Sequence, residues 1–261
     1  MKFWTGTSGY MITQKVWWEL GFNSLEINST FYSLPKRTST WQNWYAVAPE
    51  DFLFSVKMSR YLTHMKRLID PQEPWEKFWN GAQQLKEKLG VVLFQFPPSF
   101  AFDETKKGTD GKTTFERLQF LSTILPKTVR FAFEFRNSSW NNKQVIAFLK
   151  EQNWAFANVL VHNARGWADD LPSDTIWPKI STADFVYFRF HGSLGKFRGS
   201  YSKEELRAVL DFCKKTKAKE AFVYFNNYAF AKRGTHCTVQ ENKISCAAVC
   251  DGIEFMHMQN T

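Results

Sequence analysis

The sequence predicts an α/β fold, a single (β/α)8 barrel of parallel strands, on three observations. Eight short runs rich in Phe, Val and other apolar residues recur along the chain. Segments with helical spacing separate most of them, and 261 residues is a length that eight strand–helix repeats fill. A doubly wound open sheet would give similar local patterns, and the strand count favours the barrel.

The elements follow in order. WTGTSGY (4–10) and SLEINSTFY (24–32) read as the first two strands, with the helical KVWWEL (15–20) between them. STWQNWYAVA (39–48) reads as a helix leading to the strand FLFSVKM (52–58). PWEKFWNGAQQLKEKL (74–89), whose Pro74 suits a first helical turn, leads to VVLFQF (91–96). DETKKGTDGKTT (103–114) is polar and of low complexity, and reads as one long loop before the helix TTFERLQFLSTIL (113–125). VRFAFEF (129–135), the helix NKQVIAFLKEQ (142–152) and WAFANVLV (154–161) continue the alternation. DFVYFRFHG (184–192) and EAFVYFNN (220–227) flank SKEELRAVLDFCKKTK (202–217), which Ser202 and Glu205 open as a capping box. No linker divides the chain, so 1–261 is expected to be one barrel domain with an atypical segment from about 228.

Strand parity then locates polar residues. In VRFAFEFR, Phe131, Phe133 and Phe135 share one face, while Ala132, Glu134 and Arg136 share the other. If the phenylalanines meet helices, Glu134 and Arg136 point into the barrel. The same rule turns Glu26, Asn28 and Thr30 inward and places Arg189 with His191; Lys57 and Gln95 obey it too. Each of these groups falls at the C-terminal end of its strand, where barrels build their sites. A structural ion network, with Glu134 paired to Arg189 or Lys57, is the competing reading of these charges.

Composition narrows the classes. The net charge of +9 is compatible with polyanionic partners, although lysine-rich pieces such as CKKTKAKE also read as solvated helix faces. No apolar run approaches the length of a membrane span, and the N-terminus lacks the apolar core of a signal peptide, so a cytoplasmic protein without membrane contact is expected. Four cysteines are too few for a disulfide scaffold and are expected to be free thiols. CAAVC with His236 and Cys237 does not match zinc spacing. There is no Walker loop and no GxGxxG, and the sequence assigns neither cofactor nor metal.

Several stretches resemble the YecE-like family, domain of unknown function 72. They are GTSGY, EINSTFY, FSVKMSRYLTH, LFQFPPSF, FEFRNSSW, FRFHG with the following YS and EEL, and YFNN, in the family's order from about residue 5 to 227. The resemblance implies a (β/α)8 barrel and brings no settled reaction. It implies as characteristic residues Glu26, Asn28, Lys57, His64, Gln95, Glu134, Arg136, His191, Asn226 and Asn227. The stretch between GTSGY and EINSTFY is shorter than the family pattern, and the sequence after YFNN departs from it.

Three function classes follow. The first binds or processes a phosphate-bearing small molecule or nucleic acid, with Lys57, Arg136 and Arg189 gripping anions and Glu26, Glu134 or His191 as acid or base. Asn28, His64, Gln95, Asn226 and Asn227 would contact the ligand, Trp140, Trp167 and Tyr228 would stack on bases, and the Thr7, Ser8 and Gly9 amides would hold an anion. A divalent ion on Glu26, Glu134 and His191 is a variant that their cationic neighbours disfavour. The second class is a glycoside hydrolase using Glu26 and Glu134, and the third is a barrel that binds without chemistry.

Overall fold

The structure, a computed structural model, describes residues 1–11, 14–162, 179–227 and 246–259. Among these residues the strands are β1 (Lys2–Thr7), β2 (Ser24–Ile27), β3 (Leu53–Lys57), β4 (Leu89–Gln95), β5 (Arg130–Glu134), β6 (Ala155–Leu160), β7 (Phe185–Phe190) and β8 (Glu220–Phe225). They form an eight-stranded sheet in the order β1-β8-β7-β6-β5-β4-β3-β2. Its two ends meet where Ser8 bridges Glu26 in parallel and the Gly9 N–H donates to the Glu26 carbonyl at 2.8 Å. The fold is therefore a nearly closed (β/α)8 barrel of parallel strands, as the sequence predicts. Only glycine fits at residue 6 beside that seam, because a Cβ would lie 1.8 Å from the Ser24 carbonyl oxygen.

The helices among the described residues are α1 (Gln14–Glu19), α2 (Ser29–Tyr32), α3 (Thr38–Val47), α4 (Gln72–Ala82), α5 (Thr114–Ile124), α6 (Lys143–Glu151), α7 (Lys203–Lys215) and α8 (Ala247–Gln259). Capping boxes open two of them, Thr113 with Glu116 on α5 and the expected Ser202 with Glu205 on α7. The described residues fall into two compact units, one of 27–155 and one of 1–26, 156–162, 179–227 and 246–259.

In the 27–155 unit the phenylalanine ladder faces the helices. Phe131 meets Trp75 of α4 at 5.8 Å, Phe133 stacks on Phe94 at 5.2 Å, and Phe135 stacks on Trp140 at 4.4 Å. Phe131 and Phe133 are fully buried, each ring contributing roughly 1.5–3 kcal/mol, and Phe135 is partly buried, which fixes the strand face that turns away from the helices. In the other unit Phe255 of α8 packs on Phe3, Phe190 and Phe225.

Three expectations need correction, and the segment from about 228 is described in part. SLEINSTFY is a strand only to Ile27; Asn28 adopts a helical conformation and α2 begins at Ser29, its Thr30 hydroxyl donating to the Lys57 carbonyl at 2.7 Å. The tail after 228 holds the helix α8, whose Ala, Gly and Met content hides an amphipathic period. Trp140 is not an exposed stacking platform but fully buried, its indole N–H donating to the Phe100 carbonyl at 2.6 Å. Cys213 and Cys246 are free and buried, with burial pushing the Cys213 thiol up to about 12, whereas Cys250 is disulfide-bonded. Trp167, Tyr228, His236 and Cys237 lie outside the described residues. Among the described residues no helix is long and apolar enough to cross a membrane.

Candidate functional site

In the 27–155 unit, β3, β4 and β5 deliver Lys57, Gln95 and Glu134 at their C-terminal ends, with Gln95 and Glu134 opposite each other in register. Arg136, two residues on and on the same face, donates from Nε to Glu134 Oε1 at 2.8 Å. The acid and base of the FEFR strand thus pair with each other at a strand end, which is how that strand tolerates charge.

His64 joins this group from a π-helical turn, Tyr61–Met65, after β3. Its Nδ1 lies 2.9 Å from the Thr63 hydroxyl and its Nε2 3.3 Å from the Gln95 amide nitrogen. Thr63 already donates to the Ser59 carbonyl, so its oxygen accepts from Nδ1–H, and the Nε2 lone pair faces the Gln95 donor. That is a neutral imidazole. Its pKa is lowered to about 4 by burial first, then by Lys57 and Arg136, with Glu134 opposing and Arg60 adding to the effect.

Phe31 of α2 touches both partners: the Lys57 ammonium lies 4.0 Å from its ring centroid and the His64 ring 4.9 Å away, edge-on. Lys57 is only 7% exposed, a cation held in an apolar wall at the end of a strand. Neither Phe31 nor Arg60 was legible as a site residue. The signal for Phe31 was its place in NSTFY, four residues past Ile27 at the end of β2. Asn28 caps α2, and its side-chain oxygen is buried with no hydrogen-bond partner.

The other unit gathers a different set around Glu26. Arg189 donates from Nε at 3.2 and 2.9 Å to the two carboxylate oxygens and from Nη2 at 2.8 Å to Oε1. Ser8 and Tyr187 each add a hydroxyl at 2.6 Å. Burial, then the Glu26 charge, hold the Tyr187 hydroxyl well above its usual range, so it stays a donor. Parity could have found Tyr187, which shares a face with Arg189. The amides of Ser8 and Gly9 are engaged by the carbonyls of Phe225 and Glu26.

His191 is fully buried, with Nδ1 3.3 Å from the Asn226 amide nitrogen. Asn227 turns to structural partners, donating to the Gly199 carbonyl at 2.9 Å and to Asp251 of α8 at 2.6 Å, while its side-chain oxygen has no partner. Each candidate acid for glycoside hydrolysis, Glu26 and Glu134, is therefore engaged by an arginine within its own unit, unlike the proton donor that chemistry requires. No three His, Cys, Asp or Glu residues gather as a metal site among the described residues.

With this geometry in place, comparison with known proteins decides the family. The model described as "Protein of unknown function DUF72" matches residues 18–240. The chain belongs to the DUF72 family. It is 29% identical to the UPF0759 protein YunF of Bacillus subtilis over 146 residues, which is 51% of this chain and 47% of that protein, so the match spans about half of the relative's length. A crystal structure of a DUF72 family protein from Thermotoga maritima superposes with a TM-score of 0.75 at 26% identity over all of both chains. A DUF72 protein from Enterococcus faecalis gives 0.76 at 19% identity, covering 99% of this chain and 96% of that one, and supports the fold alone. LFQFPPSF and FEFRNSSW, which carry Gln95, Glu134 and Arg136, lie within the matched residues.

Proposed function

We propose that the cluster at the C-terminal ends of β3, β4 and β5 binds the phosphate of a ligand, either a small phosphorylated molecule or a nucleic-acid strand. One observation carries the reading: Lys57 and Arg136 converge on a half-buried, neutral imidazole, with Glu134 as the acid beside them. Cations held at a strand end of a barrel suit a phosphate dianion, and the C-terminal ends of barrel strands are where such ligands bind. Arg189 is bound to Glu26 and supports its own unit rather than gripping an anion.

The same group has chemistry to offer. Phosphate charge beside His64 would oppose the fields of Lys57 and Arg136 and raise its basicity, so that Nε2 takes a proton from water as that oxygen attacks phosphorus, the ester P–O bond breaks, and the imidazolium or solvent returns a proton to the leaving alkoxide. Phosphoester hydrolysis is the reaction this arrangement is equipped for.

The test is isothermal titration with pyrophosphate and fluorescence anisotropy with short oligonucleotides, comparing wild type with a Lys57→Met, Arg136→Ala double variant. Loss of a salt-sensitive interaction in the variant, with unfolding unchanged, supports the reading. Equal binding by both proteins refutes it.

A further inference from the structure

The polar loop before α5, which the sequence marks only as low in complexity, borders a half-open cavity of about 340 Å³. Five cations line it, Arg67, Lys106, Lys107, Lys112 and Arg117, against one carboxylate, Asp103. The other acids of this segment are committed elsewhere. Asp110 takes the Arg117 fork at 2.9 and 2.6 Å, Glu116 closes the capping box, and Glu104 accepts from Gln144 of α6 at 2.7 Å. Asp103 itself binds the backbone N–H groups of Thr105 and Lys106 at 2.8 and 2.9 Å.

These contacts build the loop rather than leave it to wander. Gly108 donates to the Lys112 carbonyl at 2.9 Å and accepts from Gly111 at 3.0 Å. A Cβ at 108 would sit 1.8 Å from Arg117 Nη2, so the loop needs a glycine to lie over the buried guanidinium. Arg117 Nη1 also reaches the Arg67 carbonyl at 3.4 Å, and Arg67 Nη2 donates to the Ser99 hydroxyl at 3.1 Å. Arg67 and Leu68 are both in the left-handed region, at φ 49° and 64°. Two consecutive non-glycine residues there are strained and persist only where surrounding contacts hold them. Ordered backbone, local strain and like charges gathered on one cavity together suit an anionic occupant better than an empty surface.

We propose that this cavity is a second anion site, taking the phosphoryl groups of a polyanion on Lys106, Lys107, Lys112 and Arg67, with Arg117, fixed by Asp110, completing its lining. It uses none of the residues of the Lys57 and Arg136 cluster and stands or fails without it. The shared chemistry is a run of phosphates, free as an oligophosphate or carried on a nucleic-acid backbone.

The experiment titrates inorganic tripolyphosphate by calorimetry, and a single-stranded oligonucleotide by anisotropy across a salt series. The proteins are wild type, Lys106→Ala/Lys107→Ala/Lys112→Ala, Arg136→Ala, and a control of three exposed lysines, Lys214→Ala/Lys215→Ala/Lys217→Ala. The loop variant is expected to lose one tripolyphosphate site, weakened at least about tenfold, that the control keeps, and a separate site lost in Arg136→Ala reports the Lys57 and Arg136 cluster. If the natural source is nucleic acid, the loop variant also loses about 2 from the magnitude of the salt slope, at about 0.7 per phosphate contact. If only tripolyphosphate responds, the source is a free oligophosphate. Wild-type affinity in the loop variant, an equal loss in the control, or no binding of either probe by wild type would overturn the proposal. Loss in Arg136→Ala alone would leave the proposed function standing and this one refuted.

Discussion

Replacing Arg189 by Met tests whether the Glu26 network holds the 1–26 segment to β7. Glu26 is fully buried and Arg189 is 1% exposed, and the pair shares three hydrogen bonds while Ser8 and Tyr187 supply two more to the carboxylate. Methionine preserves much of the side-chain volume but leaves a buried carboxylate with two hydroxyl donors and no countercharge. Breaking such a pair costs about 3–5 kcal/mol, a large share of the roughly 5–15 kcal/mol that stabilises a domain. Urea denaturation read by tryptophan fluorescence would measure the loss as a lower midpoint at unchanged slope. A cycle with Glu26→Gln should give a coupling of at least about 1.5 kcal/mol, because each single change strands the other partner. A loss within about 1 kcal/mol, or additive effects in the double variant, would mean the pair behaves like a solvated surface bridge, and the reasoning fails.

Three further outcomes follow from the geometry. Lys57 Nζ and the His64 ring are at most about 9 Å apart, the sum of their distances to the Phe31 centroid, so at an effective dielectric near 20 their repulsion is about 2 kcal/mol or more. Lys57→Met should therefore raise the His64 pKa by about 1 in an NMR titration, and an unchanged value would place the cause elsewhere. Gly6→Ala should destabilise the barrel by about 3 kcal/mol or more, since backbone rather than a flexible side chain blocks the added methyl; a thermal midpoint close to wild type would show that the seam can open at little cost. Burial holds Asp251 up at about 7, from an ordinary 3.8, despite donors from Tyr201 and Asn227. The folded state then keeps a proton that the unfolded chain releases, so this contribution is full below about pH 4 and is lost as pH rises through 7. Asp251→Asn should flatten that decline in thermal unfolding, and a decline of wild-type size in the variant would exclude Asp251 as its source.

The barrel was legible because two periods alternate along the chain and because the aromatic ladder at 131, 133 and 135 leaves its polar neighbours a single face. Parity brought out Lys57, Gln95, Glu134 and Arg136, and the structure sets them at the strand ends it implied. What parity could not show is partner choice. Glu134 pairs with Arg136 of its own strand end, because two residues along one strand face already lie within bonding reach. The His64 turn and α2 were illegible for a related reason: a π-helical turn and a four-residue helix carry no period long enough to read. In the loop at 103–114, charge was visible and order was not, since the order comes from Arg117 on the following helix.

The most direct test of the Lys57, His64 and Arg136 cluster is the pH titration of the His64 ring by NMR, with and without saturating pyrophosphate. The structure places its pKa at about 4 in the absence of ligand. A phosphate bound beside it should raise that value by at least about 1, as a nearby negative charge favours the imidazolium. A His64 titration that saturating pyrophosphate leaves unmoved would contradict phosphate binding at the ends of β3, β4 and β5.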